Sequence, residues 1–312
     1  MAVFNLTPSD ASTFILIGIP GLEAAQVWIS IPFSMSYIIG LLGNFTVLFV
    51  VAKEQTLHKP MYLLLCMLAL TDIVISTCTV LMSLSMFWFS LKGITMGGCL
   101  TQMLFHYAGS LMQSAILVTM AFNRYIAICD PLRYATILTN GRIAKLGIVC
   151  FMRPVLLILL LPLLVNRQPV CDNRIIPQTY CNHMAMLKIS CADITVNKTY
   201  GLVVAFVVTC LDLTLIVLSY GLIIRALLRI SSKKAHKKAL NTCTAHICVI
   251  LTSYTPFLFS SLTHQFGQGI ASHIHSILVN LFYLIPPMLN PIIYGVKTKE
   301  LRDKLGKCIC RM

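Results

Sequence analysis

The sequence predicts an all-α membrane protein: a seven-transmembrane helix bundle followed by a short amphipathic eighth helix. Three observations predict it. Of 312 residues, 57% are hydrophobic and 11% charged, whereas a soluble domain carries about one-quarter charged residues. Seven stretches reach the roughly 20 mostly apolar residues that a bilayer crossing needs, and with short connectors they use nearly the whole chain. The 24 Lys and Arg residues sort onto alternate connectors, as they do between inserted helices.

In chain order, the apolar runs predict helices at 27–51, 59–86, 97–129, 143–165, 199–228, 239–262 and 272–295. The connectors are Lys53 to His58, a short loop around Lys92, Asp130 to Arg142, a long loop from Asn166 to Lys198, Ile230 to Lys238, and Thr263 to Ala271. The chain thus divides into an extracellular N-terminus (1–26), the seven-transmembrane domain (27–295) and a cytoplasmic tail (296–312). Residues 1–26 lack the basic start and long apolar core of a cleaved signal peptide, so the first span serves as the insertion signal. Asn5-Leu-Thr7 on that leader is a glycosylation sequon. In the tail, Leu301, Leu305 and Ile309 recur at i, i+4, i+8 among charges, the pattern of an amphipathic helix lying on a membrane surface. Cys308 and Cys310 there are either palmitoylation sites or plain thiols.

Charge sets the orientation. Lys53, Lys59, Arg124, Arg133, Arg142, Lys145, Arg225, Arg229, Lys233, Lys234, Lys237, Lys238 and six residues from Lys297 to Arg311 share one side. An excess of Lys and Arg in short loops marks the cytoplasmic face, so the N-terminus is extracellular and the C-terminus cytoplasmic in a multi-pass protein of the plasma membrane. The same residues favour anionic membrane lipid. Nucleic acid is excluded as a partner, because the basic clusters contain no interleaved aromatics and no reading motif.

The thirteen cysteines also sort. Seven lie in apolar stretches, where cysteine acts as a small hydrophobe. Cys99, Cys171, Cys181 and Cys191 fall on the extracellular side, where disulfides persist; four cysteines allow three pairings, which sequence alone leaves open.

Polar residues inside spans need explaining, because each is costly there. Asn44, Asp72, Arg124 and Asn290-Pro-Ile-Ile-Tyr294 can form a polar column through the inner half of the bundle. Gly43, Pro256, Pro286, Pro287 and Pro291 supply local breaks, since proline removes a donor and frees a carbonyl. For each residue singly, an interhelical hydrogen bond is the plainer reading. His106 and His246, on apolar helices, read as satisfied interhelical histidines. No role follows from the sequence for Arg153, beside Pro154, or for Asp212; with Asp72 they fall on different helices at different depths, which does not make a channel's polar pathway.

No metal or catalytic constellation is present: there is no His-Glu-x-x-His, Gly-x-Ser-x-Gly, Walker loop or Cys-x-x-Cys. No enzyme, cofactor or metal is expected. The absence of an internal repeat removes the main pointer to an inverted-repeat transporter.

Taken together, the motifs resemble the rhodopsin-like G-protein-coupled receptors and, more finely, the class I (fish-like) odorant receptors. They are Pro20-Gly-Leu-Glu23, Gly43-Asn44, His58-Lys-Pro-Met-Tyr62, Leu68-Ala-Leu-Thr-Asp72, Met120-Ala-Phe-Asn-Arg-Tyr-Ile-Ala-Ile-Cys-Asp-Pro-Leu-Arg-Tyr134, Ser219-Tyr220, Lys238-Ala-Leu-Asn-Thr-Cys-Thr-Ala-His246 and Pro286-Pro-Met-Leu-Asn-Pro-Ile-Ile-Tyr294. The resemblance implies a receptor that binds a small odorant in a transmembrane pocket and activates a stimulatory, olfactory-type G protein coupled to adenylyl cyclase. A metabolite receptor acting outside the olfactory epithelium, or less well a channel or transporter, is the alternative.

The resemblance also implies disulfides Cys99–Cys181 and Cys171–Cys191, and a switch built from Asn44, Asp72, Asn123, Arg124, Tyr125, Tyr220, His246, Asn290, Pro291 and Tyr294. It lines the pocket with Tyr107, Ser110, Leu111, Met184, Gly201, Ala205, Phe257, Ser261 and Gln265. The sequence departs from the family in four places. Asn123 replaces the usual Asp before Arg124, so the restraining ion pair is lost and raised basal signalling is expected. Gln265 stands where acid-binding members carry Arg, whose fork holds a carboxylate bidentately. Tyr107 takes the place of the family's inner His, with His106 one residue earlier. Gln113 replaces Glu, which weakens a sodium site with Asp72. A neutral alcohol, aldehyde, ketone or ester held by Tyr107, Ser261 or Gln265 is therefore expected, although His264, His273 and His275 could supply a cation at low pH.

Overall fold

The structure is a computed structural model describing residues 13–19, 21–22, 25–171, 174–176, 178–230, 232–266 and 272–309. Seven long helices build the body: α1 (Gln26–Lys53), α2 (Pro60–Phe89), α3 (Met96–Cys129), α5 (Asn140–Asn166), α7 (Thr195–Leu227), α8 (Lys233–Phe266) and α9 (Ser272–Lys297). Shorter helices α4 (Tyr134–Ile137), α6 (His183–Lys188) and α10 (Lys299–Ile309) lie in connectors and tail. Among the described residues, six of the long helices are long and apolar enough to cross a membrane, all but α8. Helix α8 begins at Lys233, six residues before the expected start, and takes Lys233, Lys234, Lys237 and Lys238 into its first turns. Lysine is a good helix former, so the expected loop is largely helix.

Helix ends follow local chemistry. Pro60 occupies the first turn of α2, where its missing N–H is no loss. Thr95 caps α3 by accepting from Gly98 N at 3.1 Å, and Asn182 caps α6 by accepting from Met184 N at 2.9 Å. Within the bundle α3 is central, packed on α2, α5, α7 and α8, while α1 closes against α2 and α9. Large apolar side chains such as Trp28, Leu42, Leu156 and Phe206 stay exposed on the outer surface, as contact with lipid tails requires.

The connectors hold more structure than the apolar runs foretell. Strand β1 (Thr13–Leu16), from the leader, lies between β2 (Gly93–Thr95) and β3 (Ile175–Ile176) in one small sheet. It pairs antiparallel with β2, Phe14 opposite Ile94, and parallel with β3, Leu16 opposite Ile176. Alternation points Phe14 and Leu16 inward, where with Ile19 they join a buried cluster containing Phe87, Met103, Ile176 and Leu187. Gly18, at φ +90, is required where the chain leaves the sheet: a side-chain carbon would fall 2.7 Å from the Gln26 amide. The leader is thus part of a roof over one end of the bundle, and the lysines mark the other.

Candidate functional site

Nearest the lysine-rich half, the predicted polar residues meet. Pro291 has no N–H, so the carbonyl of Pro287, one turn earlier in α9, lacks its helical partner. The Asn44 side chain from α1 supplies it, donating to Pro287 O at 2.8 Å and to Gly40 O at 2.9 Å. The fully buried Asp72 carboxylate of α2 accepts from Gln113 Nε2 of α3 at 2.9 Å and Asn290 Nδ2 of α9 at 2.8 Å. Gln113 therefore acts as a donor to Asp72, and four helices share one column.

Below it, Arg124 on α3 is 2% exposed and donates from Nη1 to the main-chain oxygen of Thr242 on α8. Tyr220 of α7 and His246 of α8 are joined at 2.8 Å between hydroxyl and Nδ1. Tyr294 is buried in the same cluster, and Tyr125 is half-buried with its ring 6.5 Å from that of Phe122. Asn123 Oδ1 accepts from the Tyr134 hydroxyl at 3.0 Å, so its position is set by the connector.

At the roofed end the structure links Cys99 to Cys181 and Cys171 to Cys191, with Cα separations of 5.4 and 5.5 Å. Gln102 of α3 bridges α2 and the long loop, donating to Cys78 O at 2.8 Å and accepting from Cys181 N at 2.9 Å. Thr179 donates to Asn280 of α9 at 2.8 Å.

The residues expected to line a pocket are dispersed. The Tyr107 hydroxyl donates to Asn182 Oδ1 at 3.2 Å and accepts from His183 N at 3.3 Å, so it stitches the loop to α3. Ser110 donates to His106 O within its own helix at 2.8 Å. Leu111 is buried with Ile158, Leu161, Val204 and Val208, facing α5 and α7. Gly201 lies under the His183 ring, whose Cε1 would sit 2.9 Å from an added side-chain carbon, so the loop fills that space. Burial pushes the His183 imidazole down to about 4. Met184 packs into the cluster beneath the sheet, and Ala205 is half-buried on α7. The backbones of Phe257, Ser261 and Gln265 belong to α8; their side chains lie outside the described residues, as do Asn5, Cys310 and the side chain of Cys308.

A family model of the olfactory receptors matches residues 33–312. The chain belongs to the olfactory receptor family. Among its relatives, olfactory receptor 52N4 of Homo sapiens is 47% identical over 313 residues, covering 100% of this chain and 96% of that one. Olfactory receptor 52P1 of Homo sapiens is 48% identical over 301 residues, covering 96% and 94%. Squid rhodopsin in its crystal structure superposes with a TM-score of 0.73 at 16% identity, over 93% of this chain and 81% of that one, which shows the shared seven-helix fold. The protein is a multi-pass membrane receptor and not an enzyme.

Two features of this olfactory receptor escape the sequence. Arg153 of α5 and Asp212 of α7 form an ion pair at 2.9 Å; the other Asp212 oxygen accepts from Ser114 of α3 at 2.6 Å, and the Ser114 oxygen lies 2.6 Å from the Tyr254 hydroxyl of α8. The assignment of Arg153 and Asp212 to different depths is corrected by this contact. Opposite charges in two apolar spans were the signal, since neither is tolerated there unpaired. Second, His106 is not satisfied: it is 1% exposed, its Nδ1 lacks a partner, and its ring lies 4.4 Å from Tyr283, 5.2 Å from Tyr107 and 5.4 Å from Tyr180. Among the described residues no group of three or more His, Cys, Asp or Glu is placed to hold a metal ion.

Proposed function

We propose that this receptor is a class I olfactory receptor of the plasma membrane. Its sheet-roofed end faces outward, a small neutral odorant binds beneath the roof, and the lysine-rich end activates a stimulatory, olfactory-type G protein. The observation that carries the reading is the set of side-chain links crossing between α8 and its neighbours at two levels. Tyr254 meets Ser114 in the middle of the bundle, and His246 meets Tyr220 while Thr242 meets Arg124 at the lysine-rich end. A ligand that alters the upper link biases the lower ones, and it does so only through its different affinity for the two arrangements.

Support for the inner partner comes from Leu132, 94% exposed on the connector between α3 and α4 and next to Arg133. A large apolar side chain so exposed beside a cation fits a docked protein surface. The basic tail and α8 lysines favour anionic lipid on that face, and Asn5, Cys308 and Cys310 are proposed modification sites. Gln265 in place of arginine supports a neutral ligand, because an unpaired buried carboxylate costs several kcal/mol.

The test is an odorant panel on cells carrying the receptor, with cyclic AMP as readout, comparing acids, alcohols and aldehydes of equal chain length. Alcohols or aldehydes should act at lower concentration than the matched acids. Strong activation by short acids that survives Gln265→Ala would overturn the ligand class, and tags at both chain ends found on one face of the cell would overturn the topology.

A further inference from the structure

Among the described residues, the buried charge of Arg124 at the lysine-rich end of the bundle meets no counter-charge. Arg124 leaves Nε and Nη2 without an acceptor. The residue before it is the neutral Asn123, whose oxygen is taken by Tyr134. Among the described residues, the ion pairs engage Glu54, Asp130, Asp212, Glu300 and Asp303 with other cations. Asp72 is held by Gln113 and Asn290, and Asp193 by Thr195.

Further donors sit beside the guanidinium. His246 is 0% exposed, spends Nδ1 on Tyr220 and leaves Nε2 unpartnered. When the Tyr220 hydroxyl donates to Nδ1, the neutral imidazole carries its proton on Nε2 and becomes a donor there. The Tyr294 hydroxyl, also 0% exposed, has no partner in bonding geometry. His246 follows by one turn of α8 the Thr242 carbonyl that Arg124 holds, and Tyr294 shares the buried cluster of Tyr220 and Cys243; its hydroxyl approaches the guanidinium closely enough to share one of its hydrogens while keeping its own to donate. A guanidinium does not deprotonate in proteins, and leaving it buried and unpaired is costly. Water could accept these hydrogens but would bring no negative charge.

We propose that a small monovalent inorganic anion, chloride in the cell, binds among Arg124, His246 and Tyr294 and stands in for the carboxylate that position 123 lacks. Arg124 is bound to α8 through Thr242, so the anion ties α3, α8 and α9 together and favours the closed bundle. Asn123→Asp supplies the missing charge covalently and makes the anion redundant. The site does not depend on which odorant the receptor binds.

Thermal unfolding of the purified full-length receptor in lipid nanodiscs tests this, at constant sodium with chloride, bromide or gluconate as counter-ion. Chloride and bromide should raise the wild-type midpoint over gluconate by about 2–4 °C. Asn123→Asp should unfold in gluconate at the wild-type chloride temperature and respond to neither halide. His246→Phe should lose at least half of the halide shift. Equal wild-type midpoints in chloride and gluconate overturn the proposal, and so does an undiminished halide shift in both variants, which marks a general salt effect.

Discussion

The Arg153 guanidinium of α5 and the Asp212 carboxylate of α7 meet at 2.9 Å inside the apolar body of the receptor, the aspartate fully buried and the arginine side chain 30% accessible. The pair fixes how α5 and α7 face each other, and through Ser114 it reaches α3 and α8.

Removing one partner should therefore cost more than removing both. Arg153→Met leaves the buried carboxylate with only a hydroxyl and should destabilise by about 2–4 kcal/mol, less than for a fully sealed pair because the arginine is partly accessible. Adding Asp212→Asn should recover more than half of the loss in thermal unfolding. A double variant no more stable than Arg153→Met alone would contradict this account.

Close helix approach makes a second case. A side-chain carbon on Gly43 of α1 would sit 2.7 Å from Pro291 Cγ, whereas one on Gly109 of α3 would sit 2.7 Å from Ile75 Cγ1. The proline ring cannot rotate away, but the isoleucine can change rotamer. Gly43→Ala should cost about 1–3 kcal/mol, Gly109→Ala less, and Gly221→Ala, with nothing within 4 Å, little. Ranking the three by unfolding midpoint checks the order.

Sodium sensitivity should be created by one substitution. Each Asp72 oxygen holds an amide donor, so wild-type stability should be equal in sodium and choline chloride. Gln113→Glu replaces one donor with a second carboxylate and assembles an oxygen-rich cation site. The variant should gain stability selectively in sodium; an unchanged response would show that the two carboxyl groups share a proton instead.

Acid should loosen the loop. The usual histidine value is 6.5 and burial lowers that of His183 to about 4, so the unfolded loop takes up the proton first. The stabilising effect is complete above about 6.5 and is lost as pH falls toward 4, by up to about 3 kcal/mol. His183→Phe should flatten the fall in unfolding midpoint between about pH 7 and pH 5. A slope identical to wild type would assign the effect to other groups.

Basal signalling should respond to Asn123. An aspartate there would pair with Arg124 beside the Tyr134 hydroxyl that now occupies the Asn123 oxygen. With cellular chloride replaced by gluconate, so that no anion restrains Arg124, basal cyclic AMP in cells carrying Asn123→Asp should drop below wild type at equal surface expression; an unchanged or higher level would refute the restraint.

Sequence alone determined the seven helices and which end carries the lysines, because each apolar residue reports the bilayer locally and independently of its distant neighbours. The column of Asn44, Asp72, Gln113 and Asn290 was partly legible, since a polar group in a span must find a partner somewhere. Which partner it finds depends on how each helix is rotated, and that was hidden. A span such as α7 is apolar on every side, so no stripe marks its inward face, and the pairing of Asp212 with Arg153, 59 positions away, appears only once the helices are packed. The same holds at the roof. Strands of four, three and two residues are too short to announce themselves, and only their meeting in space pairs the leader with two loops. Tertiary structure also decided what was left over: the unpartnered nitrogens of Arg124, His106 and His246 are a property of the surroundings, which no single residue encodes.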